Sequence, residues 1–196
     1  MTVALHALNL HFKVRRVFAV SFQAISGAGY PGVASFDINE NVIPYVGGEE
    51  QKVESEPRKM MGTADGGRVV PADFMISAHT NRVPVTDGHL VAISVEFDQQ
   101  AGLDEVTRAL RDFELNDQAA GLPSSPEPVI RLHEKPDRPQ PRLDRMDGKG
   151  MTTGVGRLRP DPLFDYKFVV LSHNTIRGAA GGSIYNAELL KSQGWL

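Results

Sequence analysis

The 196-residue sequence contains no cysteine. That absence alone excludes disulfides, thiolate metal sites and a cysteine nucleophile among these residues. Nor is there an excess of charge of one sign: 21 lysines and arginines stand against 24 aspartates and glutamates, a formal net charge of -3. A field that would draw the chain to nucleic acid or to an anionic membrane therefore has no source. No run approaches the roughly 18 to 20 apolar residues needed to cross a bilayer, and Met1 opens neither a basic leader nor a signal-like cleavage pattern. The expectation is a soluble, cytoplasmic protein that deals with small molecules or other proteins, with no nucleic acid and no membrane among its partners. No His-Glu-x-x-His pattern occurs, and His6 and His11 are spaced too badly to share a helix face, so no metal site is expected.

What is present can build one core. With 41% hydrophobic residues, the chain can bury most of its unfolded surface in a single main domain. Residues 3–12 carry apolar positions near helical spacing, closed by Lys13 and the Arg15-Arg16 pair. Residues 15–25 are β-branched and aromatic over the length of a strand, and "SGAGYPG" stops them. Residues 47–62 read as a helix of one or two parts, which Pro57 should break or restart. Residues 73–85 and 89–97 flank Asp87-Gly88, the dipeptide typical of a tight turn, and predict a hairpin made irregular by Pro84. Residues 103–115 place Leu103, Val106, Leu110 and Phe113 on one helical face. Residues 121–150 are crowded with proline and charge, and read as a surface excursion with one short strand at 129–133. Strands follow at 154–160 and 166–174, then a helix over 175–194. The pattern is α+β, with a mixed sheet and helices packed on a face.

"GAGYPG" satisfies the dinucleotide pattern G-x-G-x-x-G literally. Too few residues follow Gly32, however, for the crossover helix and second parallel strand of a dinucleotide fold. The better reading is a turn whose glycines allow close backbone approach. The chemistry-bearing candidates are Arg82, a planar charged fork for a carboxylate or phosphate, and His89, whose ordinary pKa lies nearest neutrality. A two-residue hairpin turn would leave them roughly 13 Å apart, at about 3.4 Å per residue. Glu50 and Lys52 could bind an amine and an anion, although in a charged helix such residues are more often a solvated face.

Five phrases taken together resemble one family: "QAISGAGYPGV", "NVIPYVGGEEQKV", "SAHTNRVPVTDGH", "PDRPQPRLD" and "SHNTIRGAAGGSIYNAELL". They resemble aspartate-semialdehyde dehydrogenase of the fungal and archaeal type, in its C-terminal catalytic and dimerisation half. The resemblance implies a largely antiparallel sheet with helices packed on a face, like the C-terminal domain of glyceraldehyde-3-phosphate dehydrogenase. It implies an enzyme that reductively dephosphorylates 4-phospho-L-aspartate to L-aspartate 4-semialdehyde with NADP, on the route to lysine, threonine and methionine. A cysteine thiolate forms the covalent intermediate in that family.

The resemblance also carries roles. His89 is the acid/base, Gln23 positions the covalent intermediate, and Arg82 binds the substrate carboxylate. Glu50 meets the amine, Lys52 helps with substrate or phosphate, and Ser26, Gly27 and Asn174 approach the nicotinamide side of NADP. The family's nucleotide-binding domain and its Asn-x-x-Cys segment have no counterpart in these residues, and Met1 falls at or just after the place of the cysteine. Residues 1–14 are then expected to be a helix from the junction with a nucleotide domain, 15–173 the substrate-binding and dimerisation domain, and 174–196 a helix packing back on the nucleotide domain. The chain alone is expected to be inactive, to hold no cofactor tightly and to form a homodimer or higher homo-oligomer through its sheet. A non-catalytic assembly module derived from the family is the alternative.

Overall fold

The computed structural model describes all 196 residues. Helix α1 (Thr2–Phe12) leads into strand β1 (Val14–Gln23), and a 3-10 turn (Ile25–Ala28) and short helix α2 (Ser35–Ile38) follow. Helix α3 (Glu49–Met60), a small hairpin of β2 (Thr63–Asp65) and β3 (Arg68–Val70), then β4 (Met75–Arg82) and β5 (His89–Phe97) complete the first half. The second half holds α4 (Leu103–Arg111), β6 (Ile130–His133), α5 (Pro141–Asp144), β7 (Thr153–Pro160), β8 (Tyr166–Ser172) and α6 (Gly181–Ser192). Six strands form one sheet in the order β4-β1-β5-β8-β7-β6. Its outermost pairs, β4 with β1 and β6 with β7, are parallel, and the three inner pairs are antiparallel.

One sheet face carries the core. Val17 and Ala19 of β1, Ile93 and Val95 of β5, Phe168 and Val170 of β8 and Val155 of β7 pack with Ala4, Leu5, Ala7 and Leu8 of α1 and Val106 and Leu110 of α4. The period of two along each strand and of three to four along each helix puts these residues on one side. The four α1 residues are fully buried, so one face of this helix belongs to the same core, while Leu10 elsewhere on it is exposed. Helix α6 differs: none of its residues is buried, and Ile184 and Leu190 are exposed.

The opposite sheet face alternates with the first and is only half-covered. Cross-strand register lines up His79, Val20, Ala92 and Val169 in one row and Asn81, Phe22 and Leu90 in the next. Phe18, Val20, Phe22, Leu90, Ala92 and Val169 are all partly exposed there.

The expected β4–β5 hairpin does not form. Strand β1 lies between them, parallel to β4 with Gln23 beside Arg82 and antiparallel to β5 with Phe22 beside Leu90. Past Arg82 the chain keeps following β1: the Val83 N–H donates to Gln23 O (3.0 Å), Ile25 N–H to Val85 O (2.7 Å) and Ser26 N–H to Thr86 O (3.1 Å). Only then do Asp87 and Gly88 carry it across the end of β1. The valine- and phenylalanine-rich β1 needs a neighbour on each side to satisfy its backbone while buried. Gly88 has φ 98°, and a Cβ there would meet Arg145, Leu171 and Pro141 at 3.3 Å, so the crossing requires glycine.

Pro57 does not break α3, which runs unbroken through it. The lost backbone donor is offset by tertiary anchors just beyond, where Ala72 N–H donates to Arg58 O (2.8 Å) and Arg58 Nε to Ala72 O (3.2 Å). Helix α3 and the segment that precedes it also close the open edge of β4. The N–H of Ala78 donates to Glu54 Oε1 (3.1 Å), that of Thr80 to Glu50 Oε1 (3.2 Å) and that of Arg82 to Ile43 O (2.9 Å). Each otherwise unpaired edge donor thereby gains an acceptor. Glu54→Ala leaves the buried Ala78 N–H without one and is expected to cost about 1–3 kcal/mol, read as a lower midpoint in chemical denaturation at unchanged slope.

Candidate functional site

The crossing over the end of β1 brings Arg82 and His89 to the two sides of Ala24. Arg82 Nη1 donates to Ala24 O at 2.6 Å, and the Ala24 N–H donates to His89 Nδ1 at 3.1 Å. A Cβ on Gly27 would lie 2.9 Å from Arg82 Nη1 and 3.0 Å from His89 Nε2. The glycine therefore keeps open the space in front of both side chains, where any larger residue would intrude. The 13 Å separation implied by a hairpin is replaced by convergence on one point of the loop.

A pocket of about 210 Å³ opens beside them, lined by Met1, Ser21, Gln23, Glu49, His89 and Ser172 together with three valines. Gln23 Nε2 donates to Glu49 Oε2 at 3.4 Å and to Ser21 Oγ at 3.4 Å. Glu49 Oε1 pairs with Lys52 Nζ at 2.8 Å, one turn along α3. The hydrogen bond from Lys52 holds the Glu49 carboxyl below the usual range against the opposing effect of burial, with Gln23 and His89 assisting. Burial makes the Arg82 charge less favourable, and the Glu49 carboxylate supports it.

Of the residues singled out from sequence, Arg82, His89, Gln23 and Gly27 come together. Asn174 and Ser26 form a clamp beside them: Asn174 Nδ2 donates to Ser26 Oγ (2.8 Å) while its Oδ1 accepts from the Gly88 N–H (2.8 Å). This ties the glycine loop to the residue before His89. Lys52 is largely exposed at the mouth. Glu50 stands apart, its carboxylate committed to the edge of β4, and Glu49 occupies the pocket in its stead. Sequence reasoning gave Glu49 no substrate role, although its three-residue spacing from Lys52 is the helical spacing that pairs side chains on one face.

A second polar cluster lies away from this pocket. Asp144 is paired with Arg138, Asp147 with Arg131 at 2.9 Å, and His133 Nε2 sits 3.9 Å from Asp147. Arginines already neutralise both carboxylates, so the cluster reads as an ion-pair network that fixes the 131–147 segment.

Burial, then the Arg82 charge, push His89 down to about 4 from 6.5, with Glu49 acting the other way. Above pH 6.5 the folded and unfolded states are both neutral here, and nothing is lost. Between 6.5 and about 4 the unfolded chain binds a proton that the folded chain refuses, so stability falls with pH by up to about 3 kcal/mol. Denaturation midpoints of the parent chain and His89→Gln measured across this window should converge as pH falls. Parallel curves would mean that His89 titrates normally.

The family model for the semialdehyde dehydrogenase dimerisation domain matches residues 5–177. The chain belongs to this family. It is 52% identical over 177 residues to aspartate-semialdehyde dehydrogenase of Archaeoglobus fulgidus, covering 90% of this chain and 50% of that protein. It is 46% identical over 200 residues to the Schizosaccharomyces pombe enzyme, covering 99% of this chain and 56% of that protein. Among solved structures, aspartate semialdehyde dehydrogenase with NADP from Candida albicans superimposes with a TM-score of 0.90 at 40% identity, over 100% of this chain and 56% of that one. The chain thus spans about half the length of the curated relatives it matches, and corresponds to their C-terminal half. The pocket, the glycine loop and the half-covered sheet face all lie on this semialdehyde dehydrogenase half.

Proposed function

We propose that this chain is the substrate-binding and dimerisation half of an NADP-dependent aspartate-semialdehyde dehydrogenase, converting 4-phospho-L-aspartate to L-aspartate 4-semialdehyde in amino-acid biosynthesis. The observation that carries the reading is a pocket lined by His89, Gln23 and Glu49, with Arg82 beside it on the other side of Ala24 from His89, in a chain so similar to half of enzymes bearing that name. An amino-acid substrate presents a carboxylate, an amine and a reacting side-chain carbon, and the pocket together with the adjoining Arg82 offers one group for each. Arg82 holds the α-carboxylate with the guanidinium donors not committed to Ala24 O. Glu49 accepts the α-amine, the role first read for Glu50. Lys52 supplies a cation at the mouth for phosphate, Gln23 orients the acyl oxygen, and His89 serves the reacting carbon.

The open wall at Gly27, with Ser26 and Asn174 behind it, fits the edge of a nicotinamide ring. NADP supplies hydride transfer when bound. The residues here border that ring and do not grip the cofactor phosphates. The nucleophile must likewise be a thiolate from outside this sequence. Self-association through the half-covered sheet face completes the reading and accords with the family's description as a dimerisation domain. The non-catalytic alternative offers no reason for the polar pocket to remain assembled.

The purified 196-residue chain is expected to give no phosphate-dependent NADPH formation from aspartate semialdehyde. Joined to an NADP-binding half that carries Asn-x-x-Cys, it should recover that activity. Turnover by the chain alone, or none by the joined protein, would defeat the proposal.

A further inference from the structure

One peptide unit carries the chain across the end of β1, and it is held at both ends. The peptide joining Asp87 to Gly88 donates its N–H to Asn174 Oδ1 at 2.8 Å, and its carbonyl oxygen accepts from Arg145 Nη1 at 3.4 Å. Gly88 is seated against the same residue, since a Cβ there would meet Arg145 Cβ and Pro141 Cβ at 3.3 Å. Arg145 follows directly on "PDRPQPRLD", the one phrase of the resemblance that supplies nothing to the pocket. That stretch is itself firmly fixed. Asp144, 4% exposed, accepts from Arg138 Nε and from the Gln140 N–H, both at 2.6 Å, and so closes α5 on the chain that leads into it. Arg138 in turn lies on β7, where Gly156 leaves no room for a Cβ against the Arg138 carbonyl oxygen.

We propose that Arg145 is a positioning residue for this site: from the end of α5 it fixes the plane of the Asp87-Gly88 peptide, and with it the placement of His89 and Asn174 beside the glycine loop. This rests on the functional reading above and adds to it a residue outside the pocket lining. A peptide held at one end alone can swing about the φ of a glycine, which no Cβ restricts. Held by Asn174 at its N–H and by Arg145 at its oxygen, it cannot, and the direction in which the backbone enters β5 is set. The Arg145 charge also lies near the residue before Asn174: burial holds the His173 imidazole below its ordinary range, with the Asp87 carboxylate opposing and Arg145 assisting. Arg145 thus stands between the turn that precedes His89 and the turn that presents Asn174. A displacement of about 1 Å at such groups can cost about 10²-fold in rate. The stretch that the sequence marks as a surface excursion is therefore a brace between β7 and the site.

Amide hydrogen exchange in this chain reads the placement directly. The Ala24 N–H donates to His89 Nδ1, so its protection reports whether His89 is held where the structure puts it. In Arg145→Met, Ala24 should exchange about tenfold or more faster, while the amides of Ile93 and Val170, buried within β5 and β8, keep the parent's rates. Arg145→Lys should restore most of the protection. Unchanged exchange at Ala24 would overturn the proposal, as would an equal acceleration at Ile93 and Val170, which marks a residue that serves stability alone. In a full-length enzyme carrying this half, Arg145→Met is expected to lose about 10- to 100-fold in kcat, with KM for aspartate semialdehyde within about twofold of the parent's and most of the loss recovered in Arg145→Lys. A parent-like kcat, or a change confined to KM, would remove Arg145 from the positioning role. A parent enzyme with no semialdehyde dehydrogenase activity would instead overturn the functional reading, with the exchange rates still deciding what Arg145 holds.

Discussion

Arg82→Lys in a full-length enzyme carrying this half should lower kcat/KM by about 10- to 100-fold, mainly through a raised KM. The expected size is that of one charge-assisted hydrogen bond, about 1.5–3 kcal/mol. Arg82 can make that bond because one nitrogen is already fixed: Nη1 donates to Ala24 O at 2.6 Å, which sets the plane of the guanidinium and leaves its other donors free for a carboxylate. Lysine offers a point charge with no second arm, so it can meet the backbone or the substrate but cannot span them. Because Arg82 is only 5% exposed, the variant must also be shown to fold, by a thermal midpoint close to the parent's. A well-folded Arg82→Lys with unchanged KM would remove the residue from the substrate carboxylate.

The second large effect concerns assembly. Val20→Asp is expected to convert a self-associated chain to monomer at micromolar concentration, as seen by sedimentation. Val20 lies mid-row on the half-covered sheet face, between His79 and Ala92. In a two-fold interface each copy presents the same patch, so the substitution enters twice, and the second carboxylate compounds the desolvation of the first. The core lies on the opposite face of the sheet, so the fold itself should persist. A parent chain that is monomeric under these conditions would sink this use of the face, and a variant that stays associated would place the interface elsewhere.

Much of the fold was legible because local pattern and burial agreed. The alternation in 14–23 and 89–97 and the helical spacing in 2–12 describe elements whose one face enters the core, and these appear within a residue or two of expectation. The β4–β5 pairing was misread because Asp87-Gly88 is a local signal, whereas the insertion of β1 depends on which strand needs two partners. Pro57 likewise carried a local veto that Arg58 and Ala72 override from a distance. In the site, Arg82, His89 and Gln23 were found through motif resemblance. Their juxtaposition was not, since nothing in "NRVPVTDGH" tells of Ala24. The choice between Glu49 and Glu50 turned on helix phase, which adjacent acidic residues leave undetermined until the helix docks against an edge strand.

The threading of β1 between β4 and β5 also bears on how the chain reaches its native state. Strands next to each other in sequence could pair quickly into the local hairpin that Asp87-Gly88 invites, but that arrangement must be absent or undone before β1 can enter. Both of β1's pairings close long loops, from Arg16 to Met75 and from Arg16 to Glu96, which is the slow part of forming a mixed sheet. Arg82 and His89 meet only when this has happened. A fragment containing β4 and β5 alone would hold every residue of the motif and none of its geometry, so competence of the site is a late and all-or-none product of folding.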